Sequence, residues 1–236
     1  RRHFQGVDWQ LRLKQERQLA PSARDLHRFQ AVEKVFESLH QLIKGSYQVA
    51  SGGKEYIVQT EGQSIPMEQA ASGQGEITGM WPAFIASIWE EKPGFFLVEE
   101  PEAHLYPEAQ QKVIESLALV LQTQAGNQIM VSTHSPYVLT AFDNLITAAE
   151  IAAMGELHQN QVKEIVEERL WIPFGRVSAA YVEEGELVSG DSNSPPKSIL
   201  NLDRRGLGGS KIDRASEKMG AIFDKLLDIK YPVPNG

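Results

Sequence analysis

The sequence predicts an α/β protein: a mostly parallel sheet flanked by helices, with small β-hairpins added. Three observations lead there. Residues 95–98 and 128–132 are short apolar runs bounded by polar residues, the pattern of strands buried on both faces of a parallel sheet. Between them Val113, Leu117, Val120 and Leu121 recur at helical spacing. Earlier, segments 47–49 and 56–58 flank Ser51, Gly52, Gly53 and Lys54, a β-hairpin signal.

Composition limits the function classes. The 236 residues are 42% hydrophobic and 23% charged, the balance of an ordinary globular protein. No apolar run reaches membrane-spanning length and no signal peptide is visible. The chain has no cysteine, which excludes disulfides and thiolate metal sites and fits a cytoplasmic location. A net charge of −8 argues against a protein that coats nucleic acid. Residues 1–30 run the other way, with seven Lys/Arg against three acids, and read as a solvated basic segment.

Three regions follow in order. Residues 1–20 form an irregular basic lead-in. Residues 21–70 hold a helix and a β-hairpin. Ser22 is placed to cap that helix, with Asp25 in the capping-box position. Phe29, Val32, Phe36, Leu39 and Ile43 give it one buried face, and Gly45 ends it. Residues 71–236 begin with Ala71, Ser72, Gly73, Gln74, Gly75 and Glu76, a small turn feeding a helix that carries Ile77, Trp81, Phe84, Ile85 and Ile88. Pro107 suits the first turn of the next helix. Residues 137–170 read as mainly helical. A late hairpin joins 177–182 to 187–188, a polar loop spans 191–197, and a last helix runs over about 211–229.

The chemistry gathers at strand ends. Residues 95–98 run directly into Glu99 and Glu100, at the carboxyl edge where open α/β sheets place ligands. P-loop ATPases deliver carboxylates in this way to hold magnesium and orient the attacking water. The strand at 128–132 ends in Thr133, His134 and Ser135, so His134 is placed to reach the same ligand. The turn at 71–76 presents free backbone N–H groups at a helix N-terminus, which favours an anion. Gly53 and Lys54 do not form a phosphate loop, because Gln48 and Glu55 occupy the positions of the required Gly and Ser/Thr.

Taken together, these segments resemble the carboxyl-terminal half of an ABC-type ATPase head of the SMC/RecF/OLD-like kind, from about Pro21 to the end. Residues 71–76 look like its signature motif, FFLVEEPEAHLYPEAQ like its Walker B strand and D-loop, and VSTHSPYVL like its switch-histidine segment. The resemblance implies a partial P-loop NTPase-type domain that works with ATP and Mg²⁺. Glu99 would hold Mg²⁺ through water, although many relatives have Asp there. Glu100 would polarise the attacking water, and His134 would contact the γ-phosphate. Ser72, Gly73 and Gln74 would bind ATP held by the opposite subunit, and Glu102, Ala103 and His104 would form the D-loop across a head-to-tail homodimer. No P-loop occurs in these residues, so the chain reads as the carboxyl part of a longer protein, with little hydrolysis expected of it alone.

The resemblance also implies DNA repair or anti-phage defence, with a nuclease partner and DNA. The alternative is a non-hydrolysing, nucleotide-gated dimerisation or scaffold module. A transporter ATPase is disfavoured because EEPEAHLYP resembles the soluble branch. A fused TOPRIM nuclease is disfavoured because no later pair of Asp metal ligands follows residues 181–185.

Overall fold

The computed structural model describes residues 23–90, 92–183, 186–189, 200–201, 203 and 205–207. These fall into two compact units that divide between Thr133 and His134. The basic lead-in, the Ser22 cap, the loop at 191–197 and the helix expected over 211–229 lie outside the described residues.

The first unit begins with α1 (Ala23–Ile43), whose predicted apolar face is its core face. Phe29, Val32, Val35, Phe36, Leu39 and Ile43 are all buried. The helix closes on Lys44, which adopts φ 53°, and not on Gly45 as the sequence reading had it. Gly45 is already the first residue of β1 (Gly45–Val49). Its lack of a side chain answers a different need, since a Cβ there would lie 2.7 Å from the Val58 carbonyl oxygen. Strand β1 pairs antiparallel with β2 (Glu55–Gln59) through the predicted turn, where Gly52 and Gly53 have φ of 92° and 77°. A short β3 (Ser64–Pro66) adds to this hairpin.

Helix α2 (Ser72–Glu90) packs against α1. Trp81 Nε1 donates to the Val35 carbonyl at 2.7 Å, so the indole is buried with its polar atom satisfied. Phe84 meets Phe96 edge-on at 5.3 Å between centroids, which fixes α2 beneath one face of β4 (Phe95–Glu99). Helix α3 (Pro107–Thr123) starts on Pro107 as predicted and packs against α1. It leads into β5 (Gln128–Ser132), which pairs with β4 in parallel, Leu97 opposite Met130 and Glu99 opposite Ser132. Asn127 secures this crossover: its Oδ1 accepts from the Gly94 N–H at 2.9 Å, and its Nδ2 donates to the Val120 carbonyl at 2.7 Å.

Two expectations need correction. Among the described residues only β4 and β5 pair in parallel; the other pairings are antiparallel. The reason is connectivity, since only this pair is joined by a helical crossover, and the others are close in sequence. The strands are also not buried on both faces. Val98 is 6% exposed, whereas Phe95, Leu97 and Met130 are 65, 60 and 57% exposed. These three side chains share one face by strand alternation and register, and no described element covers it.

The second unit contains α4 (Pro136–Ala152), α5 (Glu156–Lys163), hairpin β6 (Ala180–Glu183) and β7 (Glu186–Ser189), and the short pair β8 (Leu200–Asn201) and β9 (Gly206–Leu207). Ser135 caps α4, its Oγ accepting from the N–H groups of Tyr137 and Val138. Asp143 Oδ1 accepts from the Leu207 N–H at 2.6 Å and holds β9 to α4. No helix among the described residues is long and apolar enough to cross a membrane.

Candidate functional site

The carboxyl ends of β4 and β5 lie side by side, and the turn after β4 is built on them. Glu99 and Ser132 are cross-strand partners, both exposed. The Glu100 N–H donates to the Ser132 carbonyl at 2.8 Å, the last bond of the pairing. At that point the backbone turns sharply: Glu100 has φ 44°. A residue with a Cβ in this region costs about 1–2 kcal/mol, and such residues concentrate where function holds them. The Glu100 carbonyl accepts from Ala103 N–H at 2.9 Å, and the Glu102 carbonyl accepts from Leu105 N–H at 3.0 Å. His104, also at positive φ (57°), ends a tight two-step turn. The Glu100 side chain is left exposed beyond the strand edge.

Glu102 points inward instead. It is 5% exposed, and its Oε1 accepts from Thr133 Oγ1 at 2.5 Å. That distance is at the short end for an O–H···O hydrogen bond. The bond links the turn after β4 to the end of β5, next to the exposed His134 that opens the second unit.

The Gly-rich turn abuts the same region. Ser72 is exposed and is the first residue of α2, so the helix begins at the turn itself. Gly73 is buried, and a Cβ on it would sit 2.7 Å from the His104 carbonyl oxygen and 2.9 Å from a Leu105 methyl. Glu76, one turn along α2, lies 3.5 Å from His104 Nε2. Gln74 has a double structural engagement. Its Oε1 accepts from Ala71 N–H at 3.1 Å, satisfying a backbone donor at the helix start, and its Nε2 donates to the Ile43 carbonyl at 2.7 Å at the end of α1.

The first unit therefore brings Ser72, Gly73 and Gln74 against the turn that holds Glu102, Ala103 and His104, with Glu99 and Glu100 at its start. Three features were not anticipated: the backbone of Glu100, the Glu102–Thr133 bond, and the anchoring of Gln74. The last carries no clear signal, since Ala71 lacks the side-chain oxygen of a capping box and the Ile43 carbonyl is 31 residues away from Gln74 in sequence. The oxygen donors suit a hard cation. Mg²⁺ is held by one or two carboxylates together with phosphate oxygens and water, and the exposed Glu99 at the strand end fits that role. Among the described residues no group of three or more His, Cys, Asp or Glu is arranged to hold a metal unaided.

The family model described as AAA ATPase domain matches residues 10–139, more than half of the chain. The matched stretch includes the Gly-rich turn, β4, the following turn, β5 and His134. No curated protein matches the chain.

Proposed function

The chain belongs to the AAA ATPase domain family, and from that premise we propose that it is the catalytic-carboxylate part of an ABC-type ATPase that dimerises on ATP. Glu100 is the residue that orients the attacking water. The observation carrying this reading is its backbone: an exposed carboxylate held at φ 44° at the carboxyl end of a parallel strand, against the intrinsic preference of its residue type. A carboxylate fixed beyond the sheet edge accepts a hydrogen bond from water and leaves the oxygen directed at phosphorus. Glu99 would hold Mg²⁺ through water, and the ion when bound neutralises charge on the transferring phosphate. His134 would donate to the γ-phosphate. The N–H groups at Ser72 and Gly73 would meet phosphate on a second copy, which makes closure of two heads depend on ATP.

The phosphate-binding loop would come from a segment outside these 236 residues. DNA repair or anti-phage defence, with a nuclease partner and DNA, remains the biological setting we propose on the motif resemblance.

The test is Glu100→Gln in the natural full-length protein. The amide keeps the shape and loses the charge, so steady-state phosphate release should fall by about 100-fold or more while ATP affinity holds. Release at the wild-type rate would remove Glu100 from this role.

A further inference from the structure

We infer that Glu102 and Thr133 form a clasp that sets the position of Glu100 relative to the end of β5, making Glu102 a positioning residue. The inference deepens the proposed ATPase site and rests on that reading for its functional meaning. Its geometry stands independently. Glu102 is buried, lies two residues after Glu100, and accepts a 2.5 Å hydrogen bond from the hydroxyl of Thr133. Thr133 is the last residue of the first unit and the one before His134.

The physical need for a clasp follows from the turn. Glu100 occupies a left-handed conformation that its own residue type disfavours, so surrounding contacts must hold it there. The available backbone bonds are local: Ala103 to Glu100, and Leu105 to Glu102. They shape the turn but do not join it to the neighbouring strand. The Glu100 N–H to Ser132 bond does so at the turn's entrance. The Glu102–Thr133 bond makes a second attachment two residues on, between residues 31 apart in sequence. Attachments at the turn's entrance and again two residues on fix orientation where the first alone permits rotation. The turn therefore moves with the end of β5, and any displacement of Thr133 passes to the backbone of Glu100. Glu102 acts through position alone and touches no reacting atom in this scheme.

The experiment compares Thr133→Val, which keeps the shape and removes the donor, with Thr133→Ser, which keeps the donor. Amide hydrogen exchange in the 236-residue chain is read at Ala103 and Leu105, with the β5 amides as internal reference. Losing this buried hydrogen bond should speed exchange at the two turn amides by about tenfold in Thr133→Val. The β5 amides should hold their rates, and Thr133→Ser should match wild type within about twofold. In the full-length enzyme, Thr133→Val should lower kcat with KM nearly unchanged, and Thr133→Ser should restore it. Turn amides as slow as wild type in Thr133→Val would overturn the clasp, as would equal acceleration throughout β5, which marks an ordinary packing contact. If the clasp signature appears but Glu100→Gln leaves turnover untouched, the clasp stands and the proposed catalytic site falls.

Discussion

Gly73 carries two requirements in one position. As part of a Gly-rich helix start it suits an approaching anion, and that much is readable from the sequence. Its second requirement is steric: the His104 carbonyl oxygen lies 2.7 Å from where its Cβ would be, and a backbone oxygen cannot swing aside. Gly79 in the same helix has nothing within 4 Å of its would-be Cβ. Gly73→Ala should therefore cost about 1–3 kcal/mol in urea unfolding, by overpacking. Gly79→Ala should instead stabilise by about 0.5–1 kcal/mol, because alanine loses less backbone entropy in a helix. Equal effects at the two positions would contradict the close approach. The sequence could name Gly73 but not its neighbour, since His104 is distant along the chain and meets it only through the fold. Glu102 shows the same limit more strongly. Its neighbours in sequence, Pro101 and Ala103, indicate a turn, and nothing in them distinguishes an inward carboxylate bonded to Thr133 from an outward one.

At the scale of elements, strand identity was legible and strand environment was not. Both runs, 95–98 and 128–132, are strands paired in parallel, as their composition and the helix between them indicate. Continuous apolarity, however, predicts two covered faces, while α2 supplies cover for one. Adjacent residues of β4 should then respond differently to truncation. Val98→Ala removes buried methyl groups and should cost about 2 kcal/mol. Leu97→Ala, on the open face, should cost under about 0.5 kcal/mol in the 236-residue chain. Chemical denaturation of the two variants decides the matter; a comparable loss at Leu97 would mean that the face is covered in solution. In the second unit, a link between α4 and the turn before β9 gives a pH-dependent prediction. Hydrogen bonding from the Arg205 guanidinium holds the Glu150 carboxyl below the usual carboxylate range, aided by the Phe174 N–H. Because its folded pKa is depressed, the unfolded chain takes up the proton first on acidification. The pair's contribution is thus complete above the ordinary value of 4.5 and is lost as pH falls through the lower folded value. Arg205 is largely exposed, so the contribution at neutral pH should be no more than about 1 kcal/mol. The melting temperature of Arg205→Ala should lie slightly below wild type at pH 7, and the two should converge below pH 4.5.

For the molecule as a whole, the proposed output is association of two heads on ATP, and Ser72 is where that can be blocked without touching the fold. Ser72 is the first residue of α2 and is exposed, so its side chain serves no core contact. The helix start is anchored by other groups: Gln74 accepts from the Ala71 N–H and reaches the end of α1, and Gly73 seats against His104. Arginine at position 72 therefore leaves the anchoring intact. Its charge is unfavourable at a helix N-terminus by about 0.3–1 kcal/mol, too little to unfold a domain of this size. If a phosphate on a second copy must approach the N–H groups of Ser72 and Gly73, the long side chain fills the space that the phosphate needs. Steric exclusion then outweighs the attraction of guanidinium for phosphate, because the backbone donors are reachable only at close range. Sedimentation velocity on the full-length protein at saturating ATP reads the outcome, with Glu100→Gln included to prevent turnover. Glu100→Gln alone should sediment as a dimer with ATP and as a monomer without it. Adding Ser72→Arg should leave a monomer under both conditions while ATP binding to each head persists, since the residue serves the opposite copy's nucleotide. An ATP-dependent dimer that survives Ser72→Arg would show that this helix start does not face the partner's phosphate.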